Sequence, residues 1–199
     1  MNNLYSINKI SVETLAVSLA EFGKHSRIDA DVLTDEQDLL TSYLSAAQNH
    51  IEDITAHAST VATYEMKMGR FPYESVAYYH KFGSIKIPRF PLIAVSSVAY
   101  KDVNGDSQTH TDFQFDNSDT TPLLSPTRFT AWPITDYASL KPVTVTFTAG
   151  YTTVPHKYKQ AIRLLAANFY ENREATISGT IIAEIPYALK MLIYSLRNK

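Results

Sequence analysis

Residues Val143 to Glu174 constrain the fold more than any other stretch of this chain. They read as a strand, a hard stop and a long helix. Val143, Val145 and Phe147 alternate with Thr144, Thr146 and Thr148, the period-two pattern of a half-buried strand. Ala149-Gly150-Tyr151 ends that pattern, and Pro155 supplies the fixed φ that suits a first helical turn. Tyr158, Ile162, Leu165 and Phe169 then recur every three or four residues, as on one face of a helix finishing in Tyr170-Glu171-Asn172-Arg173-Glu174.

Two further helices are expected before this point. Ser18 and Glu21 have capping-box spacing, with Val17 and Phe22 placed as a hydrophobic staple, so a short helix runs from Leu19 to about Arg27. Thr34 and Gln37 suggest a second box. From there Leu40, Tyr43, Leu44, Ala47, Ile51, Ile54 and Ala58 keep one face apolar over roughly 35 Å. Periodicity then changes to strands from Val61 to Met68, at Ile85-Lys86-Ile87 and from Ile93 to Tyr100, with Ser96-Ser97 shifting phase as a bulge would. Asn104-Gly105 marks a hairpin, whose return strand is expected to hold Phe113 and Phe115; Asn117 to Pro126 reads as a loop. A last helix begins at Pro186, with Leu189, Leu192, Ile193 and Leu196 on one face. The expected fold class is therefore α+β. Helices of residues 1–60 and 150–199 form a four-helix bundle, into which residues 61–149 insert an antiparallel β domain.

Motif by motif, little chemistry is offered. Six glycines show no Gly-x-Gly spacing, so no phosphate-cradling loop is expected. His50 and His57 lie about 10 Å apart along a helix, too far for one metal, and each histidine reads as a surface or interface residue. Asp102, Asn104 and Asp106 begin like a calcium loop, but Ser107 and Phe113 stand where glycine and glutamate are needed, so a polar hairpin tip is expected. Glu171 and Glu174, one turn apart, read as a salt-linked helix end. No catalytic residue, cofactor or metal is expected. Tyr64, Phe71, Tyr73, Tyr78, Tyr79 and Phe82, near Arg70, Lys81, Lys86 and Arg89, either stack on bases or build a β core or contact patch. A sequence pI of about 6.3 lacks the basic bias of a nucleic-acid binder.

Composition enters as a boundary. With 199 residues, 45% of them hydrophobic, the chain can bury a core without staples, and it has no cysteine for disulfides or thiolate chemistry. The absence of cysteine fits a reducing cytoplasm. No apolar run approaches the roughly 20 residues of a membrane span, and the start Met1-Asn2-Asn3 does not read as a secretory signal. A net charge of −2 conceals an asymmetry: residues 1–60 hold three Lys/Arg against nine Asp/Glu, and residues 151–199 hold seven against three. Either the two ends make contact, within a subunit or between neighbours, or these are two solvated helix faces of opposite sign.

The order strand, Ala-Gly-Tyr, Val-Pro, Gln160-Ala161-Ile162, then Tyr-Glu-Asn-Arg-Glu resembles the head–tail connector (adaptor) proteins of long-tailed bacteriophages. Leu19-Ala20-Glu21 with Lys24 and Arg27-Ile28-Asp29 resembles their opening helix, and Leu39 through Ile51-Glu52 their second. Ile87-Pro88-Arg89 to Asn104-Gly105 is similar to their central β segment, and Ile185-Pro186 with Leu192 and Arg197 to their closing helix. Gly23 and the aromatic stretch from Tyr64 to Phe82 depart from the pattern.

The resemblance implies a structural protein and no enzyme: a subunit of a ring of about twelve copies between portal and tail. Such a ring extends the channel for packaged DNA without reading its sequence, and receives the stopper or tail-completion protein. Its place would be the virion neck, reached from the host cytoplasm during assembly, with no membrane. Candidate contacts between subunits or with the portal are Lys157, Lys159 and Arg163, basic residues near a helix start where acids are preferred. Their expected partners are Asp29, Asp31, Asp35 and Asp38 of a neighbour. Ile177, Ile181, Ile182 and Ile185 are expected to become buried on assembly. The alternative is a small carbohydrate- or peptide-binding β module flanked by helices.

Overall fold

The computed structural model describes residues 5–72, 83–118, 121–128, 130–172 and 187–197. The chain forms two compact units, one from Met1–Glu13 with Val61–Gly150 and one from Thr14–Thr60 with Tyr151–Lys199.

The first unit is built on β1 (Tyr5–Lys9), β2 (Ala62–Met68), β3 (Ile85–Lys86), β4 (Leu92–Lys101), β5 (Ser107–His110), β6 (Phe113–Asp116), β7 (Leu123–Pro126) and β8 (Val143–Ala149). Five of them form an antiparallel sheet in the order β1-β2-β8-β4-β5, and β3-β7-β6 form a second sheet. The alternation read from β2 and β8 appears as alternating burial along both strands. Their register puts Tyr64 opposite Phe147 and Met66 opposite Val145, so one face of the sheet carries a continuous apolar layer. Tyr64 stacks on Phe147 with ring centroids 5.5 Å apart. The pairing of β4 with β8 slips between Val95 and Ser97, where the serine pair shifts the phase, and again between Leu92 and Ala94.

Three expectations need correcting here. The first residues, assigned above to the helices, form β1 and pair with β2. The return strand of the Asn104-Gly105 hairpin is β5, not the Phe113 segment, because Thr111-Asp112 breaks the chain and sends β6 into the second sheet. The segment from Asn117 to Pro126 is not wholly loop: its last four residues are β7, whose Leu124 is fully buried between β3 and β6. Strands this short hold too few residues to display a period of two.

The second unit comprises α1 (Leu19–Ser26), α2 (Ala30–Asp35), α3 (Gln37–Thr55), α4 (His156–Glu171) and α5 (Tyr187–Arg197). The first capping box forms as spaced: Ser18 Oγ accepts from Glu21 N–H at 3.2 Å, and Ser18 N–H donates to Glu21 Oε2 at 3.0 Å. Val17 and Phe22, the staple pair, are both buried. Gly23 is explained by close packing of α1 on α2, since a Cβ there would lie 2.8 Å from Leu33 Cδ1.

The second capping box does not form. Thr34 lies inside α2 and its hydroxyl donates to Ala30 O at 3.0 Å. The helix breaks at Glu36, with φ −100° and ψ 19°, before α3 begins. Ala56 then adopts a left-handed conformation that stops α3 short of Ala58, so its 19 residues span about 28 Å. Pro155 sits at the N-cap of α4, with φ −60° and ψ 142°.

The core of this unit is one cluster in which Phe22, Leu40, Leu44 and Ile51 meet Ile162, Leu165, Leu189 and Leu196. α3 packs on α4 and α5, and α4 on α5, with α1 against α3 and α4. Among the described residues there are five helices, mostly short, where a four-helix bundle was expected. The extra one is α2, which lies between the two expected N-terminal helices. The class is α+β.

Candidate assembly interface

The acidic candidates lie along α2 and at the start of α3. Asp29 is the N-cap of α2 without making a side-chain cap bond; Asp31 lies in the first turn of α2 and Asp38 in that of α3. All four aspartates, Asp35 included, are exposed, and α2 buries none of its residues. Helix dipoles favour acids at Asp31 and Asp38, which accounts for part of the cluster locally. None of the four has an ion-pair partner among the described residues.

The basic candidates separate. Lys157 is exposed in the first turn of α4 and makes no ion pair among the described residues. Lys159 Nζ instead reaches Glu21 Oε1 of α1 at 3.0 Å. Arg163 Nη2 donates to Gln160 Oε1 at 3.1 Å, and its charge also acts on Glu21. Positive charge at the start of α4 thus has a use within the unit, where Glu21 supplies the missing acid from another helix. The four isoleucines Ile177, Ile181, Ile182 and Ile185 lie outside the described residues, as does Glu174.

Glu21 joins the α1 cap to α4. Its carboxyl is held below the usual range, first by the Ser18 N–H bond and then by Lys159. A depressed folded pKa means that the contribution to stability is complete above the unfolded value of about 4.3 and is lost as pH falls through the folded one. Glu21→Gln should therefore cost at most about 1 kcal/mol near neutrality, the carboxylate being well exposed to screening water. The cost should vanish once both forms are uncharged in strong acid. Urea unfolding at neutral and acidic pH measures it, and a pH-independent deficit would refute the assignment.

Sequence reasoning missed a buried polar ladder on α3. Gln48 Oε1 accepts from Ala16 N–H at 2.8 Å while its Nε2 donates to Thr14 O at 3.0 Å. Glu52 Oε1 accepts from Ser59 N–H at 3.0 Å and from Ser59 Oγ. Thr55 Oγ1 donates to Ile51 O at 2.7 Å. These residues tie both ends of the 14–60 segment onto its long helix. The available signal was their spacing of four and three residues on the same face as Leu44 and Ile51.

His57 is not a surface histidine. It is buried, its Nδ1 lies 3.0 Å from Thr55 O, and its ring stacks on Tyr151 with centroids 6.0 Å apart. Tyr158 completes the cluster at 5.2 Å, and its hydroxyl is pushed far above the normal range, chiefly by burial and next by Tyr151.

Of the described polar and aromatic candidates of the first unit, Asp102, Tyr64 and Phe71 are held by its own packing. Asp102 Oδ1 accepts from Asn104 N–H and Asp106 N–H at 2.9 and 3.1 Å, and Oδ2 from Gln108 Nε2 at 3.1 Å. Those bonds, Gln108 foremost, keep its carboxyl below the ordinary range and make the tip a closed turn. Phe71 stacks on Trp132 at 4.6 Å between centroids, with Tyr100 and His110 around it. Tyr73, Tyr78, Tyr79, Lys81 and Phe82 lie outside the described residues. Among the described residues no three His, Cys, Asp or Glu side chains gather as metal ligands, and no helix is long and apolar enough to cross a membrane.

The fold has solved counterparts. A chain in the neck of the empty gene transfer agent (GTA) particle, computed with C6 symmetry, is 25% identical with a TM-score of 0.75, over 96% of this chain and 95% of that one. A chain of the virion of the native gene transfer agent particle matches at 23% identity and a TM-score of 0.73, over 96% and 94%. A third, in the neck of the native GTA particle computed with C12 symmetry, matches at 23% and 0.68 over the same shares. No model of a protein family matches the chain, and no curated protein matches it.

Proposed function

We propose that this chain is a structural head-to-tail connector (adaptor) subunit of the neck of a tailed phage or phage-like particle. The observation that carries this reading is the likeness to a neck chain along nearly the full length of both proteins, at 25% identity. The symmetry of that neck, and the C12 symmetry of the native one, supports a closed ring. In this reading about twelve copies dock on the portal, extend the DNA channel and receive the stopper or tail-completion protein. Its work is binding geometry in the virion.

A closed ring needs two different patches that meet. In this reading exposed Asp29, Asp31, Asp35 and Asp38 on one copy and exposed Lys157 on the next form such a pair, with Lys159 contributing from behind its contact with α1 and Arg163 from beside Gln160. Each surface ion pair contributes only about 0–1 kcal/mol, so apolar contacts must supply most of the association, and Ile177, Ile181, Ile182 and Ile185 are proposed to do so.

The test is assembly of the full chain on its own portal, imaged by negative stain. Wild type should form rings, whereas Asp31→Lys with Asp35→Lys should form them only poorly and more poorly at low salt. Absence of any wild-type ring or portal binding would overturn the connector reading. Rings of normal yield from the double variant would overturn the charged contact alone.

A further inference from the structure

Among the described residues no strand pairs with the outer edge of β6 or of β3 in the small sheet of the first unit, and the two edges differ in character. On one edge, β6 exposes Gln114, Phe115 and Asp116 in succession, so neither face of the strand is covered. Thr127 N–H donates to Asp112 O at 3.0 Å, and alternation along an antiparallel pair then turns the Phe115 N–H and C=O away from β7, as it does the groups of Phe113, whose N–H donates back to Thr111 O at 3.0 Å. On the other edge, Ile87 N–H donates to Pro122 O at 3.0 Å, which by the same alternation turns the Lys86 N–H and C=O outward. Charge follows the edges. Asp112 and Asp116 stand on the β6 side, and no lysine or arginine occurs from residue 102 to 127. Lys86 is exposed on the β3 side, with Arg89 three residues further on. An uncovered strand with outward main-chain groups normally invites pairing, and proteins that avoid it cover or blunt the edge.

We propose that β6 of one copy docks against β3 of the next, with Asp112 and Asp116 facing Lys86 of the partner subunit, joining the three-stranded sheets edge to edge. The occupant is a second copy because the two edges complement each other in charge and belong to the same chain. β3 and β6 both run antiparallel to β7, hence parallel to each other. A sheet continued in one sense around an axis therefore repeats the same junction at every step, the heterologous contact a ring requires. The inference rests on the ring reading above and uses none of the residues of its charged helical contact. Phe115, 40% exposed, is the apolar side chain this junction covers.

Zero-length carbodiimide coupling, which joins an ammonium only to a carboxylate it touches, provides the test. Isotopically labelled and unlabelled full-length copies are mixed, assembled on the portal and coupled. Mixed-isotope Lys86–Asp112 or Lys86–Asp116 products are expected. Lys86→Asp alone, or Asp112→Lys with Asp116→Lys, should each lower assembly about tenfold. Combining all three should restore it, a rescue that an unfolded strand cannot give. Wild-type rings without those products, or reversal variants that assemble normally, overturn the junction and leave the connector reading intact. Failure of wild type to assemble overturns both.

Discussion

Glu52→Leu is expected to destabilise the helical unit by about 3 kcal/mol, although it replaces a buried carboxylate by a hydrocarbon of similar size. Burying a carboxylate is costly in itself, and an apolar substitute can be neutral when both partners of a polar contact are removed together. Here only one is removed. Ser59 is completely buried, and its N–H and Oγ–H both donate to Glu52 Oε1. Leucine would leave two buried donors without an acceptor, at about 1–3 kcal/mol each. Glu52→Gln keeps an acceptor at the same place and should recover most of the loss. Urea unfolding followed by helical circular dichroism checks the pair. A leucine variant as stable as wild type would mean that water or a shifted backbone satisfies Ser59, and that the ladder does not hold the 57–60 segment.

That ladder also shows where reading a sequence stops short. The α3 stripe was legible because Leu40, Leu44, Ala47 and Ile51 repeat at helical spacing, and all four are buried. Gln48 and Glu52 lie on the same side but are polar, and their burial depends on groups remote in sequence, such as Ala16 N–H. Local signals succeeded where the cause was local: the Ser18 box, the staple, the Ala149-Gly150 stop and the alternation in β2 and β8. They failed at β1, a short edge strand with one clear apolar residue, and at β7, whose Leu124 is buried only because two other strands flank it. One basic residue depends on a remote group in the same way. Lys159 looked unexplained within its own helix, yet its acid is Glu21, distant in sequence and close in space. The α+β class was legible because long periodic segments dominate it. The helix count was not, because α2 forms in the stretch between the two expected N-terminal helices, where no apolar stripe announces it and none of its residues is buried.

Phe147→Ala should cost about 3–5 kcal/mol, the range for emptying a well-packed aromatic site. Phe147 lies in β8, which is flanked by β2 and β4 near the middle of the five-stranded sheet, and its ring is fully buried against Tyr64. Backbone pairing on both sides limits how far β8 can move, so the cavity cannot simply collapse. Phe115→Ala is the matched control: the same atoms are lost from an exposed edge strand, and the isolated subunit should change by no more than about 0.5 kcal/mol. The two substitutions therefore separate stability from assembly. Phe147→Ala should lower the denaturation midpoint of the isolated protein, while Phe115→Ala should leave that midpoint alone and weaken ring formation. If Phe115→Ala instead destabilises the free subunit as much as Phe147→Ala, then β6 is already covered within its own chain, and its edge is not available to a second copy.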